Sequence, residues 1–394
     1  MVMKRKILFI GINQRYMNAT NSLLPAVIQR VGDVFFYGPG FVGKNTLDQG
    51  VERYIEKIGG VDFIIITAQC LIKFDINRFE KYLIRYTAVF NSGIITTLFL
   101  DDVRRFCKNN QKKVICGISE VDPHVTPQST LDALLEHSEY FMGWGNGFLN
   151  AKGDMEAVAE EGYIQKKLKK GFELGLMDEF VDKHFSRVIN LGHFVSDSEF
   201  YWGNLSARKY DVAVPGSRYE RRQKTIEKIK QMHNVSLANN SYKYYFKIAD
   251  RLHLNPYSNF YCVNLYNLFF QQELSNSKAC ITEGGANNHP VRKFFEISAA
   301  GSLMICWPSV GFEMLGFRDG VNCIYIKSIN EIIKIIEMIK DNIEHFQPIA
   351  SEGRKLVLTK HSVSARASQL SQVLEKINQG NYNGSFWKDG DFII

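Results

Sequence analysis

The chain lacks paired cysteines, and this absence argues against two classes of site. None of its seven cysteines forms a C-x-x-C pair, so neither a dithiol redox motif nor a zinc motif of that kind is indicated. Most of the cysteines lie inside apolar runs such as VICGI and LMICW. We therefore expect reduced, buried cysteines, and we expect no bound metal, because no other metal-ligand pattern is present.

The N-terminal segment lacks an apolar run long enough for a signal sequence or a membrane span. Its first run, KILFI, stops at Ile10 and continues into turn residues, so we expect a cytoplasmic protein. The basic run KKLKK at 166–170 could touch acidic lipid. Such runs are more often solvated helix faces, so only weak peripheral membrane contact is expected.

A concentrated basic arm is also missing. The 394 residues include 48 Lys and Arg against 41 Asp and Glu, a net charge of +7 that is spread along the chain. The aromatic residues lie mostly in apolar runs and are not interleaved with cations. We therefore expect no nucleic-acid partner and favour an anionic small substrate or an anionic surface.

Short continuous runs of Ile, Val and Phe alternate with helical patterns from the first residues onward. Such runs are typical of parallel strands covered on both faces, and the helices between them are typical crossovers of a doubly wound α/β fold. The strands predicted in the first half are 6–11, 33–38, 62–67, 94–102, 112–118, 139–145 and 186–195. A helix is predicted near 77–89, and charge-rich helical sequence follows Gly147.

The alternation restarts near residue 211, which predicts a second α/β domain. We place the boundary in the polar segment 196–209. The predicted organisation is an N-terminal Rossmann-like domain (1–200), a C-terminal Rossmann-like domain (201–375), and a tail (376–394) that could pack back on the first domain. Ligands of such sheets bind at the carboxyl ends of the strands, so the cleft between the domains is the expected site.

One predicted helix carries cations at its start, where the helix dipole disfavours them. In HPVRKFFEISAAG, Pro290 suits the first helical position, so Asn288 or His289 is expected to cap the helix. Arg292 and Lys293 then stand in the first turn. Free amides, the positive dipole end and two cations together predict an anion site.

Glu296 follows Arg292 by four residues, with Ala299 and Ala300 near the same stripe. A carboxylate one turn below a phosphate site could accept hydrogen bonds from a ribose diol. The alternative is a surface ion pair with Arg292, worth only about 0.3 kcal/mol. The residues of this helix alone leave both interpretations open.

A second strand, turn and helix carries the same basic signature. In AVPGSRYERR, Gly216 and Ser217 form the turn, and Arg218, Arg221 and Arg222 follow at once. Such a cluster at a helix start is unfavourable without a counter-charge. Two basic turns in one α/β domain predict one shared polyphosphate, although a nucleic-acid backbone would offer the same charge.

The residues from about 210 to 375 resemble a known family. The stretches that carry the likeness are DVAVPGSRYERR, HPVRKFFEISAAGSLMI, VNCIYIKSINEIIKIIEMIKDN and IASEGRKLVLTKHSVSARASQL. They are similar to the C-terminal domain of group 1 (GT4-like) glycosyltransferases, particularly the spore-maturation-like (CgeB-like) branch. The resemblance implies the GT-B fold, with two Rossmann-like domains facing across a cleft and a nucleotide-sugar donor held mainly by the second.

The resemblance also implies roles for residues that match the family pattern. Glu296 matches the glutamate that holds the ribose hydroxyls, and Arg292 matches a cation that contacts the donor. Gly216 and Ser217 match the turn that faces the diphosphate. Four neighbours join them as candidate donor-binding residues: Arg218, Arg222, His289 and Lys293.

The chain departs from the wider family at one position. A glutamate eight residues before the ribose glutamate often contacts the sugar, and this chain has Asn288 there. The departure leaves open both the stereochemical outcome and the identity of the sugar. Glu283, five residues earlier, is a candidate to compensate, and both residues are kept as donor-site candidates.

The N-terminal domain, which the resemblance implies to be the acceptor side, carries weaker signals. Gly11 and Asn13 follow the first strand, where GT-B enzymes bring a loop toward the donor, although an ordinary strand-to-helix turn explains them as well. Asp101, Asp102 and His124 are candidates for the base that removes the proton of the acceptor hydroxyl. The alternative for these three is a helix cap and a loop histidine.

The resulting hypothesis is a glycosyltransferase that moves a sugar from a nucleoside diphosphate to a hydroxyl of a glycan, lipid or other glycoconjugate. No cofactor is expected, because the resemblance implies that helix dipoles and cations neutralise the leaving diphosphate in place of a metal ion. A nucleotide-sugar epimerase on the same fold and a binding or structural protein without catalytic activity are the alternatives.

Overall fold

Two parallel sheets organise the chain in the computed structural model. The residues that the structure describes are 5–13, 19–72, 97–118, 126–143, 168–169, 176–198, 200, 202–216, 220–238, 242–252, 254, 260–284, 290–309 and 311–394. The helix expected near 77–89 and most of the charge-rich segment after Gly147 lie outside them. No helix among these residues has the length and apolar character to cross a bilayer.

The first sheet has six parallel strands in the order β2-β1-β3-β4-β5-β6. Its strands are β1 (Lys6–Ile10), β2 (Asp33–Tyr37), β3 (Phe63–Thr67), β4 (Val114–Ile118), β5 (Tyr140–Gly143) and β6 (Val188–Asn190). The described helices around it are α1 (Ala19–Gln29), α2 (Lys44–Asp48), α3 (Val51–Ile58), α4 (Thr97–Asn109), α5 (Gln128–His137) and α6 (Leu176–Lys183).

Alternate residues of the first sheet face two separate cores. Leu8 and Ile10 pack on the side of α3, α4 and α5, whereas Ile7 and Phe9 pack on the side of α1. All four side chains are buried. Burial on both faces explains why the strands appear in the sequence as unbroken apolar runs, and it confirms the doubly wound prediction.

The strand predicted at 94–102 is wrong for its described part, because residues 97–109 form α4. The buried positions on this helix are Phe99, Leu100, Val103, Phe106 and Cys107. Their spacing of three, four and one follows the helical repeat, which places them on one face against the sheet. Asp101 and Asp102 therefore lie on a helix and do not end a strand.

The second sheet has four parallel strands in the order β10-β9-β8-β7. They are β7 (Tyr210–Ala213), β8 (Ser277–Thr282), β9 (Leu303–Cys306) and β10 (Ile324–Tyr325). The described helices that follow β7 are α7 (Glu220–Lys230), α8 (Tyr242–Arg251), α9 (Phe260–Ser275), α10 (Arg292–Ala299), α11 (Ile329–Asp341), α12 (Gln347–Lys360) and α13 (Val363–Asn378). A hairpin of β11 (Phe386–Lys388) and β12 (Asp391–Ile393) ends the chain.

The second sheet also has a core on each face. Cys280 and Met304 pack with α10, and Ile281 and Ile305 pack with α7 and α11. This arrangement fixes α10, and with it Glu296, directly against the strands that lead into the predicted site.

The chain crosses between the sheets a second time, through α13. This helix packs against α1 and shares a core with the first sheet. The crossing point is fixed by buried Arg366, whose guanidinium donates to the His193 carbonyl oxygen at 2.7 Å and to His361 Nδ1 at 2.8 Å. Beyond it, the indole of buried Trp387 donates to the Asn190 carbonyl oxygen at 2.7 Å. The division at residue 200, with a separate tail from 376, remains our proposal.

Candidate functional site

The turn after β7 and the first turn of α10 meet at the carboxyl edge of the second sheet. A Cβ atom added to Gly216 would lie 2.5 Å from Lys293 Nζ and 3.1 Å from an Arg222 terminal nitrogen. The two basic turns are more than 70 residues apart in sequence, yet their side chains share one small volume. This edge is where ligands of open α/β sheets bind.

Gly216 allows this approach because it has no side chain. Its φ angle is +101°, a region that side-chain-bearing residues rarely occupy. The backbone of the turn is therefore open toward Lys293 and Arg222. A backbone turn that is held open beside two cations suits a polyphosphate.

Glu283, at the end of β8, supplies counter-charge to the basic start of α7. Its carboxylate lies 3.5 Å from the Arg221 guanidinium and 3.8 Å from Arg222 Nε, and its carbonyl oxygen accepts from Arg222 at 3.3 Å. Arg222 is only 2% exposed. Arg221 also stacks over the ring of Trp307, 5.2 Å from its centroid. The Glu283 carboxylate thus lies between two guanidinium groups at the start of α7.

Glu296 forms an ion pair with Arg292, at 3.0 Å between Oε1 and a guanidinium nitrogen. The Glu296 and Arg292 side chains are only 8% and 10% exposed. The ion pair considered from the sequence therefore exists, but it is buried and does not lie on the surface. Arg292 Nε also donates to the Phe194 carbonyl oxygen at 3.4 Å. A buried pair in contact with the other half of the chain places Glu296 at the junction of the two halves.

Lys293 is less basic than an ordinary lysine. Burial is the main cause, the Arg222 charge adds to it, and together they lower the pKa of Lys293 to about 7. The Glu296 and Glu283 carboxylates oppose the shift without cancelling it. An incoming anion would stabilise the protonated form, so Lys293 can respond directly to a bound phosphate.

Residues 203–372, which contain both basic turns and Glu296, match the family model described as glycosyl transferase-like. This part of the chain is a glycosyl transferase-like domain. No curated protein matches its sequence.

Solved structures show the fold of this glycosyltransferase. Sucrose-phosphate synthase from Thermosynechococcus elongatus matches with a TM-score of 0.51 and 11% identity, over 96% of this chain and 100% of that one. HepE from Anabaena, solved in complex with UDP-glucose, matches at 12% identity over 94% and 100% of the two chains, with a TM-score of 0.49. The first likeness, together with the two doubly wound sheets, shows the GT-B fold that the sequence predicts.

The open turn of the glycosyltransferase leads to a stability prediction. Gly216→Ala should lower the free energy of unfolding by about 1–3 kcal/mol, because the new side chain needs an unfavourable φ and must displace Lys293. Urea unfolding measures the change. Gly43→Ala is the matched control, since Gly43 has a φ of −72° and a Cβ atom added there would meet no other atom within 4 Å. Equal free energies of unfolding for the two variants would contradict the turn geometry assigned to Gly216.

Sequence reasoning missed a polar cluster of the enzyme next to α10. Buried Glu273 accepts from the Tyr242 hydroxyl at 2.6 Å and from Lys243 at 3.1 Å. The charge of Glu296 contributes to the raised pKa of Tyr242, and the charge of Lys243 to the lowered pKa of Lys293. These three residues are separated in sequence from both basic turns, and no motif identifies them.

Sequence reasoning also missed His193, which follows β6. Burial and the charges of Arg292 and Arg366 lower the pKa of His193 to about 3. Its imidazole is therefore neutral at physiological pH and lies in the field of Arg292, with its ring centroid 6.1 Å from that of Phe295. The signal that could have found it is its position after a parallel strand, where sites of α/β enzymes form.

The structure places the other N-terminal candidates in local contacts. Asn13 Nδ2 donates to the Gly40 carbonyl oxygen at 2.9 Å, and the Gly11 amide donates to the Tyr37 carbonyl oxygen at 3.1 Å. These bonds join the loop after β1 to the loop after β2. A donor contact for Gly11 and Asn13 stays a prediction.

The two aspartates make contacts within the helical layer. Asp102 accepts from the Val51 amide at 2.9 Å, which caps α3, and pairs with Arg105 at 2.6 Å. Asp101 pairs with Arg104 at 3.4 Å. The remaining candidates lie outside the described residues: His124, Ser217, Arg218, Asn288 and His289.

Proposed function

We propose that the enzyme holds a nucleoside-diphosphate sugar across the carboxyl edge of its second sheet and transfers the sugar to an acceptor hydroxyl. The diphosphate would lie at the open Gly216 turn, between Arg222 and Lys293. Glu296 would accept hydrogen bonds from the ribose diol, with Arg292 holding its carboxylate in place. The convergence of Gly216, Arg222 and Lys293 is the observation that carries this proposal.

The proposed chemistry follows from the charges in the site. As the bond from the anomeric carbon to the diphosphate oxygen breaks, negative charge builds on the leaving diphosphate. Lys293, Arg222 and the amino end of α10 are positioned to stabilise that charge without reorganisation. We propose that they do so without a metal ion. The acceptor proton would pass to a base, for which Asp101, Asp102 and His124 remain our candidates.

Two finer points belong to the same proposal. The spacing of Arg292, Glu296 and Gly301 supports membership of the spore-maturation-like branch. A cytoplasmic location is supported by the seven cysteines, all of which are free, because disulfides are rare in reducing compartments. A glycan or another glycoconjugate is the proposed acceptor.

A donor screen tests the proposal. Purified protein is incubated with sugars linked to UDP, GDP, ADP, CDP and dTDP, and release of each nucleoside diphosphate is measured. One donor should be hydrolysed slowly without acceptor, and its nucleoside diphosphate should raise the melting temperature. If no donor is turned over and no nucleoside diphosphate shifts the melting temperature, the proposed donor site is wrong.

A further inference from the structure

Among the described residues, exposed apolar side chains concentrate on the helices α8 and α9 and on Leu252 and Leu254, which follow α8. Among the described residues, twelve large hydrophobic side chains are exposed, and eight of them lie between Tyr244 and Phe269. They are Tyr244, Tyr245, Leu252, Leu254, Tyr261, Leu265, Leu268 and Phe269. We call this set the α8–α9 surface. Scattered single apolar residues are normal on a protein surface, but such a concentration marks an interaction site.

The helix α9 is apolar on both faces: Val263 and Leu274 are buried, and a second apolar stripe lies on the opposite side. Tyr261, Leu265, Leu268 and Phe269 follow the helical repeat and so share one face. They are 81%, 46%, 48% and 37% exposed. A stripe of this kind normally faces the core, and here it faces solvent. It adds little to folding, so its presence indicates that something else covers it.

The charges beside this surface indicate what covers it. Lys247 and Arg251 are exposed on α8, with Asp250 beside them. Glu273, the acidic residue of α9, is buried with Tyr242. The exposed polar residues within the α9 stripe are neutral, for example Asn264 and Gln272. The surface thus combines tyrosines, leucines and a net positive charge.

We propose that the α8–α9 surface docks on an anionic lipid bilayer. Tyrosine rings favour the headgroup region, leucines can enter the acyl boundary, and lysine and arginine can reach lipid phosphates. Each cation near an anionic bilayer adds to binding. A second copy of the chain would bring the same net positive charge, because Asp250 offsets only one of the two cations, so charge complementarity favours the bilayer.

Docking here would place the bilayer next to the donor site. Lys243, in the first turn of α8, is hydrogen-bonded to Glu273 and lies within the electrostatic reach of Lys293. The proposal concerns lipid binding alone and does not depend on donor chemistry, so the two can fail separately.

The test is sedimentation of the full chain with vesicles. Phosphatidylcholine vesicles should bind the protein weakly, and vesicles that also contain phosphatidylglycerol should bind it strongly. Leu265→Ser combined with Leu268→Ser should weaken binding to the vesicles at least about tenfold, because the double variant removes less apolar surface from water when it binds. Lys247→Glu combined with Arg251→Glu should weaken binding to anionic vesicles by a similar factor.

The controls use exposed apolar residues elsewhere on the molecule. Val321→Ser and Met338→Ser replace side chains that are 52% and 53% exposed, and both should leave vesicle binding unchanged. The proposal is overturned if lipid charge has no effect or if the leucine variants bind like the controls. It is also overturned if light scattering shows a dimer that the leucine variants dissociate, since the surface would then belong to a second copy.

Discussion

Glu296→Gln should lower kcat/KM for the sugar donor by about 100-fold. The proposed hydrogen bonds from the ribose diol to a carboxylate are charge-assisted, at roughly 1.5–3 kcal/mol each, and glutamine weakens both. About 2.7 kcal/mol of lost transition-state binding corresponds to two orders of magnitude. Steady-state release of the nucleoside diphosphate measures the change.

A matched control separates this role from a general loss of helix charge. Glu220→Gln removes a carboxylate from another i,i+4 pair, at 2.7 Å from Lys224, and both of these side chains are exposed. It should leave kcat/KM unchanged. Binding of inorganic diphosphate gives a second check, because Glu296 is assigned to the ribose alone. If Glu296→Gln weakens the binding of inorganic diphosphate as much as the binding of the nucleoside diphosphate, the assignment of Glu296 to the ribose is wrong.

Lys293 should make binding of the nucleoside diphosphate depend on pH. Its pKa of about 7 means that free enzyme loses this charge above neutrality, while a bound diphosphate keeps the lysine protonated. Between pH 7 and 9 the ligand's own charge is nearly constant, so affinity should fall by up to about tenfold per pH unit. Titration calorimetry at several pH values should show this fall together with proton uptake on binding.

Removal of the charge tests the same assignment. Lys293→Met should weaken binding about 10–100-fold at pH 7 and flatten its pH dependence. Lys278→Met is the control, because Lys278 pairs with Asp211 at 2.8 Å on the strands β8 and β7. A Lys293→Met variant that keeps the steep pH dependence would show that another group is responsible.

Stability should change with pH in the opposite direction to binding. Unfolded Lys293 has a pKa near 10.5, so the unfolded state binds more protons than the folded state between pH 7 and 10.5. The contribution of Lys293 therefore makes the ligand-free protein more stable as pH rises through this window. Below pH 7 Lys293 is protonated in both the folded and the unfolded state, so the free-energy cost of burying its charge is fully present.

The fold was largely predictable because most of its strands are buried on both faces. Their apolar runs are unbroken, and the helices between them follow a repeat of 3.6, as in α13. The error at 94–102 came from a short run, TTLFL, that suits a strand or a buried helix equally. Val103, Phe106 and Cys107, just beyond the run, carry the helical repeat that decides the question.

The site was predictable where local chemistry identifies it. A glycine turn followed by cations and a helix start with cations are visible in a few residues each, and the structure brings Gly216, Arg222 and Lys293 together. Tyr242, Glu273 and His193 carry no local motif. Their proximity to α10 arises from packing between distant segments, which a single sequence does not specify.

The second crossing of the chain constrains how the protein can fold during synthesis. Val363, Leu370 and Val373, on α13, complete the core that contains Ile7 and Phe9. The first sheet therefore leaves the ribosome early, but one of its faces is covered only in part, by α1, until α13 has been made. Domains usually fold in the order of their synthesis; here the core on the α1 side of the first sheet is completed only after the second sheet has been made.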